Sequence, residues 1–192
     1  MIKLLETLRV KDGNLYNINY HNARLNYSRE QLFGLKNRLD ILDFLPKLPQ
    51  KGLKRVRVIY SENIESIEVF DYTPKLPFSF KVVEFKEDYS HKYLNREPIN
   101  TLKRHFSNFD ELILSRDKEL GDTTIANIAL LINGSWFTPA NPILRGTTRE
   151  RYLKNGILKE ARLKVEDLRE AKKIALLNAM VDFMVVDDFE VI

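Results

Sequence analysis

One hairpin dipeptide in each half of the chain, Asp12-Gly13 and Asn133-Gly134, constrains the fold more than any other feature. Both residues of such a tight turn take positive φ, which Asp/Asn-Gly accepts at low cost, so each dipeptide reverses one strand onto its neighbour. The first joins apolar-rich Leu4–Val10 to an alternating return over Leu15–Tyr20, and the second follows Ile125–Ile132 and precedes Trp136-Phe137-Thr138. From Asn22 the period changes: Leu25, Ser28, Leu32 and Phe33 predict a helix ending at Gly34. A short helix over Leu39–Leu45 stops before Pro46, and Val56–Tyr60 pairs with Ile64–Tyr72 across Ser61-Glu62-Asn63. These elements form one small α/β layer, residues 1–72. Thr73-Pro74-Lys75-Leu76-Pro77 is the linker, because two prolines bracket it and no periodicity crosses it.

Beyond the linker, residues 78–192 form the second layer. They read as a strand over Phe78–Phe85, a helix around Asn100–Ser107, and a strand over Glu111–Ser115 ahead of the second hairpin. A helix follows Gly146, another lies near Val165–Lys172, and an apolar strand runs Ile174–Ala179. The expected class is therefore mixed α/β, in two small layers. Asp187-Asp188-Phe189-Glu190 reads as an acidic tail.

Composition narrows the functional classes. Length of 192 residues, 44% apolar and 30% charged residues give a chain able to bury a core, and exclude collagenous or disordered classes. The absence of cysteine excludes disulfides, thiolate metal sites and a thiol nucleophile, and fits the reducing cytoplasm. No apolar run is long enough to span a bilayer, and Glu6 interrupts any signal-peptide plan at once. A net charge of +4 without a basic, aromatic-interleaved stripe argues against nucleic acid as a partner.

His21, His91 and His105 lack metal-ligand spacing and are expected at the surface or in caps, so no metal site is expected. There is no glycine-rich phosphate loop of the dinucleotide or nucleotide type. One anion site has a mechanism in the residues alone. Arg145-Gly146-Thr147-Thr148-Arg149-Glu150 opens a helix, Thr147 and Glu150 have capping-box spacing, and a helix start offers free N–H groups to phosphate.

Four patches in order make that site part of something larger. They are Tyr20-His21-Asn22-Ala23-Arg24-Leu25; Lys92-Tyr93-Leu94-Asn95-Arg96; Asp110-Glu111-Leu112-Ile113-Leu114 with Gly121-Asp122-Thr123-Thr124-Ile125-Ala126-Asn127-Ile128; and Phe137-Thr138-Pro139 with Ile143-Leu144-Arg145-Gly146-Thr147-Thr148-Arg149. Together they resemble the class-IV aminotransferases, the fold-type-IV pyridoxal-phosphate enzymes: a His-x-x-Arg-Leu helix start, a Lys-x-x-Asn-Arg stretch, a Thr-Glu-x-x-x-x-Asn strand and a Tyr-Thr-Pro…Gly-Ile-Thr-Arg segment.

The resemblance implies a fold with an N-terminal α/β sandwich and a C-terminal strand-rich pseudobarrel, and a cytoplasmic homodimer acting on a small amino substrate. It implies that Lys92 is the Schiff-base lysine, with Lys103 as the fallback, and that Arg24 grips the cofactor phosphate. It makes Thr147 and Thr148 the phosphate-cup threonines and puts Asp122 where the family has a glutamate against the pyridine nitrogen. Asn178-Ala179 occupies the last cofactor-side segment and is more similar to the aminodeoxychorismate lyases than to the Gly-Thr of many transaminases. The implied reaction is elimination of pyruvate from 4-amino-4-deoxychorismate to give 4-aminobenzoate for folate synthesis. A branched-chain or D-amino-acid transaminase on the same scaffold is the alternative, and a non-catalytic anion-binding module the distant one. Arg55 and Arg57, which share one strand face by period two, are the candidates for the substrate carboxylate. Family members are usually longer, so both the first layer and the segment after Phe183 read as abbreviated.

Overall fold

A computed structural model describes residues 2–192 and separates them into two compact units. The first comprises the chain up to Pro74 together with His91–Asn95; the second comprises Lys75–Ser90 and Arg96–Ile192.

In the first unit β1 (Leu4–Lys11), β2 (Asn14–Leu15), β3 (Leu53–Tyr60) and β4 (Ile64–Asp71) form an antiparallel sheet in the order β2-β1-β3-β4. Alternation decides its buried face. Leu4, Leu8 and Val10 of β1 and Val56, Val58 and Tyr60 of β3 pack with Leu25 of the helix α1 (Ile18–Phe33) and with Ile41. Complete burial of a side chain such as Leu25 contributes about 1.5–3 kcal/mol. The helix ends at Gly34, whose φ of 70° is the left-handed conformation that glycine enters without a Cβ penalty. It begins four residues earlier than the sequence predicts. Asn17 turns left-handed (φ 57°) two residues after β2 ends, so the second half of the expected return strand over Leu15–Tyr20 is the first turn of α1. The expected short helix at Leu39–Leu45 is one 3₁₀ turn over Ile41–Phe44, capped by Asp40.

His91–Asn95 belongs to the first unit, although the sequence reading assigns it to the second layer. Backbone pairing is the reason: Leu5 N–H donates to the Lys92 carbonyl (2.9 Å) and Leu94 N–H to the Lys3 carbonyl (2.9 Å), adding the segment to the edge of β1.

The second unit contains β5 (Ser79–Glu84), α2 (Glu97–His105), β6 (Glu111–Arg116), β7 (Glu119–Thr123), β8 (Asn127–Ile132), β9 (Ser135–Pro139), α3 (Thr147–Lys154), β10 (Leu158–Ala161), β11 (Ile174–Asn178), β12 (Asp182–Val186) and β13 (Glu190–Val191). Its main sheet runs β10-β9-β8-β7-β6-β5-β13, and β11 pairs with both β8 and β12. Buried Ile128 and Leu130 of β8 pack with Ile113, Leu120, Ile174 and Leu176. The strand expected at Ile125 begins only at Asn127. Residues 123–126 form a tight turn in which Thr123 Oγ1 accepts the Ala126 N–H (3.1 Å). The acidic end is not a tail: β13 pairs parallel with β5, and Phe189 packs edge-on against Phe80. Among the described residues no helix is long and apolar enough to cross a membrane.

Candidate active site

In the first unit one expected site residue, Arg24, is bound to a carboxylate that the motifs do not single out. Glu6 lies on the inward face of β1, fully buried, where alternation calls for an apolar residue. Arg24 donates to it twice, Nε to Oε1 (2.8 Å) and Nη2 to Oε2 (2.6 Å). His21, one helical turn earlier on the same face of α1, hydrogen-bonds Oε2 through Nδ1 (2.7 Å). Burial pushes the Glu6 carboxyl up, but the charge of Arg24 and the hydrogen bonds from His21 and Arg24 outweigh it and hold the carboxyl at about 2. Burial drives His21 the other way, below its ordinary value. A neutral imidazole facing a carboxylate donates from Nδ1. His21 is therefore a buried partner of Glu6, not the surface residue expected.

Lys92 is half-buried on the edge segment beside β1, and its charge bears on His21. Lys103, the fallback, sits in the second unit in the last turn of α2, with its ammonium on the Phe109 and Asp110 carbonyls. Arg55 and Arg57 share the outward face of β3. Arg57 is paired with Glu68 (3.0 Å), whereas Arg55 lies over the Phe70 and Tyr72 rings with Arg9 as its cross-strand neighbour.

In the second unit Asp122 and the start of α3 are tied together by Asn127. Asp122 is buried on β7 and its bridge partner is Asn127. The Asn127 amide donates to Asp122 Oδ1 (2.6 Å) and to the Leu144 carbonyl (2.8 Å), and Leu144 N–H donates to Asp122 Oδ2 (2.7 Å). Gly146 is required by close approach, since a Cβ there would stand 1.8 Å from Asn127 Oδ1. These contacts hold the chain entering α3 against the acid. Burial pushes Asp122 up to about 7, against the hydrogen bonds of Leu144 and Asn127 and the charge of Arg149.

The predicted capping box at Thr147 is not formed. Gly146 is the N-cap, so Thr147 is the first helical residue, and no side chain caps the helix. Thr147 and Thr148 are buried at this N-terminus, which retains backbone N–H donors for an anion. Asn178 stands at the end of β11. Its Oδ1 accepts the Met180 and Val181 N–H groups and its amide donates to the Ile125 carbonyl, so its side chain shapes the turn containing Ala179. Glu111, also buried, holds the turn after Asp122 by accepting from Thr124 N–H and Oγ1 (3.2 and 2.5 Å). Arg96 donates to the Thr124 carbonyl in the same turn.

Glu6 is the residue that the motif reading missed, and Glu111, quoted within a motif, was given no role; Glu6 carried a signal of its own. An acid at an inward position between Leu4 and Leu8 cannot be left unpaired. The described residues contain no cluster of His, Asp or Glu suited to a metal ion.

The amino-transferase class IV family model matches residues 3–189. An uncharacterised Haemophilus influenzae protein is 32% identical over 186 residues, covering 94% of this chain and 98% of that protein. Among solved structures, a Haemophilus somnus protein provisionally named a 4-amino-4-deoxychorismate lyase is 29% identical with a TM-score of 0.86, over 94% of this chain and 97% of that one. The pyridoxal-phosphate-bound form of a hypothetical aminotransferase from Mycobacterium tuberculosis shares the fold at 21% identity and a TM-score of 0.79, over 98% of this chain and 81% of that one. The expectation of an abbreviated chain is thus relative: the two Haemophilus proteins have nearly the same span.

Proposed function

The chain belongs to amino-transferase class IV, a family of pyridoxal-phosphate enzymes, and we propose that it is a lyase that releases pyruvate and 4-aminobenzoate from 4-amino-4-deoxychorismate. The observation that carries the cofactor reading is the pairing of a buried acid, Asp122, with an uncapped helix start at Thr147, locked together through Asn127 and Gly146. That donor set suits a phosphorylated pyridine. A buried carboxyl held by neutral donors answers a ring N–H, and free backbone N–H groups beside two threonines answer a phosphate.

When bound, pyridoxal phosphate supplies an electron sink for a carbanion beside the substrate nitrogen. Lys92 would hold the cofactor, and its Nζ would take the proton from the amine-bearing ring carbon of the substrate. Asp122 would face the pyridine nitrogen and, as a carboxylate, would keep its proton in place. Thr147 and Thr148, and by the family resemblance Arg24, would hold the phosphate, Asn178-Ala179 would belong to the same cofactor set, and Arg55, with Arg57, would offer the cation for a substrate carboxylate. The lyase reading is supported by Asn178-Ala179 and by the similarity to the Haemophilus somnus protein. The cytoplasm and a homodimer complete the proposal, the dimer to be checked by light scattering.

Two measurements test it. Borohydride should fix the chromophore to Lys92, and Lys92→Ala should abolish fixation; an adduct on Lys103 refutes the assignment. Wild-type protein should release pyruvate and 4-aminobenzoate without added keto acid. One turnover with a simple amino acid, stalling until keto acid is supplied, and no aminobenzoate, would establish a transaminase instead.

A further inference from the structure

We propose that Glu6 is a positioning residue for cofactor phosphate binding, aiming the Arg24 guanidinium from beneath; the inference rests on the reading of Arg24 as the phosphate grip. Stability alone does not require the Glu6–Arg24 pair. Glu6 is 0% exposed at an inward position of β1, where an apolar side chain would fill the same space, and replacing a buried ion pair by packed apolar groups is often neutral or stabilising. Geometry accounts for it better. The carboxylate meets Arg24 as a two-point fork through Nε and Nη2, which fixes the plane of the guanidinium as well as its position. The Arg24 side chain is 14% exposed, so it is not wholly enclosed, whereas the Glu6 that holds its Nε and Nη2 is. His21 completes the seat by bonding Oε2, the oxygen that also accepts from Nη2, and so fixes the rotation of the carboxylate.

The substitution that isolates this role is Glu6→Gln. It nearly preserves shape but turns one oxygen into an NH₂ that faces the donors of Arg24 or His21. It also removes a negative charge beside Arg24, so simple electrostatics would tighten phosphate binding, whereas loss of aim would weaken it. Apo-protein of the full chain is titrated with pyridoxal 5′-phosphate and, separately, with pyridoxal, which lacks the phosphate; bound chromophore is read by absorbance. Glu6→Gln should weaken the phosphorylated ligand about tenfold or more and pyridoxal by less than about twofold. Glu6→Asp, which keeps the charge on a shorter arm, should recover part of that affinity.

Equal losses for both ligands would show a merely structural role and overturn the inference, as would unchanged or tighter binding of the phosphorylated form. If Glu6→Gln does not fold, Glu6→Asp and His21→Asn decide the matter: an unchanged ratio between the two ligands overturns it. Arg24→Ala separates the two levels. Should it leave the ratio unchanged, the phosphate lies elsewhere and the functional reading of Arg24 fails first; should it collapse the ratio while Glu6→Gln does not, only the role of Glu6 is lost.

Discussion

Glu6 in the first unit and Asp122 in the second are both buried carboxyls on strands, and their environments drive them in opposite directions. Glu6 is enclosed by a guanidinium and an imidazole and stays ionised, held at about 2. Asp122 is enclosed by an amide and a backbone N–H, and burial lifts it to about 7. Burial is the common term, and the partner decides the sign: a cation within hydrogen-bond reach outweighs desolvation, whereas neutral donors do not. The first acid is spent on a cation of its own chain. The second is left poised to ionise when a cation arrives.

The sharpest way to break this contrast is to remove each carboxyl in turn. Glu6→Ala strands Arg24 beside a cavity and should cost the apo-protein about 3–5 kcal/mol, read by urea denaturation. A loss under about 1 kcal/mol would mean that Arg24 is solvated and that the two acids differ less than their surroundings indicate. Asp122→Asn should act on chemistry instead. It sets a donor against Leu144 N–H or the Asn127 amide, costing about 1–3 kcal/mol, and should lower turnover about 10²–10³-fold while Lys92 remains fixable by borohydride. Because both candidate reactions need the same carbanion, this variant tests the cofactor assignment and not the substrate.

Acid–base linkage sharpens the comparison further. A depressed acid stabilises above its unfolded pKa, so the Glu6 contribution, about 3 kcal/mol, should vanish as pH falls from about 4.5 through 2. A raised acid does the reverse. The Asp122 contribution to apo-protein stability should be full below about 3.8 and lost, by about 4 kcal/mol at most, as pH rises through 7. Urea midpoints across pH should show the upper limb in wild type and not in Asp122→Asn. Its persistence in the variant would reassign that limb to another group.

A smaller effect is expected at Gly146. A methyl there meets Asn127 Oδ1, and that amide cannot swing away without releasing Asp122 or the Leu144 carbonyl. Gly146→Ala should therefore cost about 1–3 kcal/mol and shift the upper pH limb, since it loosens the neutral cage around Asp122. Gly34→Ala, which leaves space but strains a positive φ, should lose stability without moving that limb.

Legibility in the sequence divides along the same line. Period-two alternation put Leu4, Leu8, Val56 and Val58 inside, and Gly34 marked the end of α1, because these are local steric rules. The short strands β7, β10, β12 and β13 were missed. β10 and β13 are held by partners distant in sequence, Leu158 by Trp136 and Val191 by Phe80, whereas β7 and β12 fold back on the preceding strands through turns with positive φ at Asp117, Lys118 and Asp182 that carry no glycine signal. The resemblance supplied Arg24, Lys92 and Asp122 but not what surrounds them. Glu6 lies eighteen residues from Arg24, and Asn127 reaches Leu144 seventeen residues on, so neither contact is encoded within one element. The capping box failed for a simpler reason: Gly146 took the cap position and moved Thr147 one place into the helix.

The smallest expected effect asks whether the contrast between charged and neutral partners extends to the proposed phosphate ligands. Arg24 belongs to the charged set, and Thr148 with the uncapped start of α3 to the neutral one. A hydrogen bond between neutral groups contributes about 0.5–1.5 kcal/mol, so Thr148→Ala should weaken pyridoxal phosphate by about two- to tenfold. A charge-assisted bond contributes about 1.5–3 kcal/mol, so Arg24→Ala should weaken it by about ten- to a hundredfold. Added salt distinguishes the mechanisms. It screens the attraction between guanidinium and phosphate and should shrink the gap between wild type and Arg24→Ala, while the gap between wild type and Thr148→Ala stays constant. If both gaps shrink in parallel, Thr148 acts by shaping a charged site, and the division between the two units does not extend to their ligands.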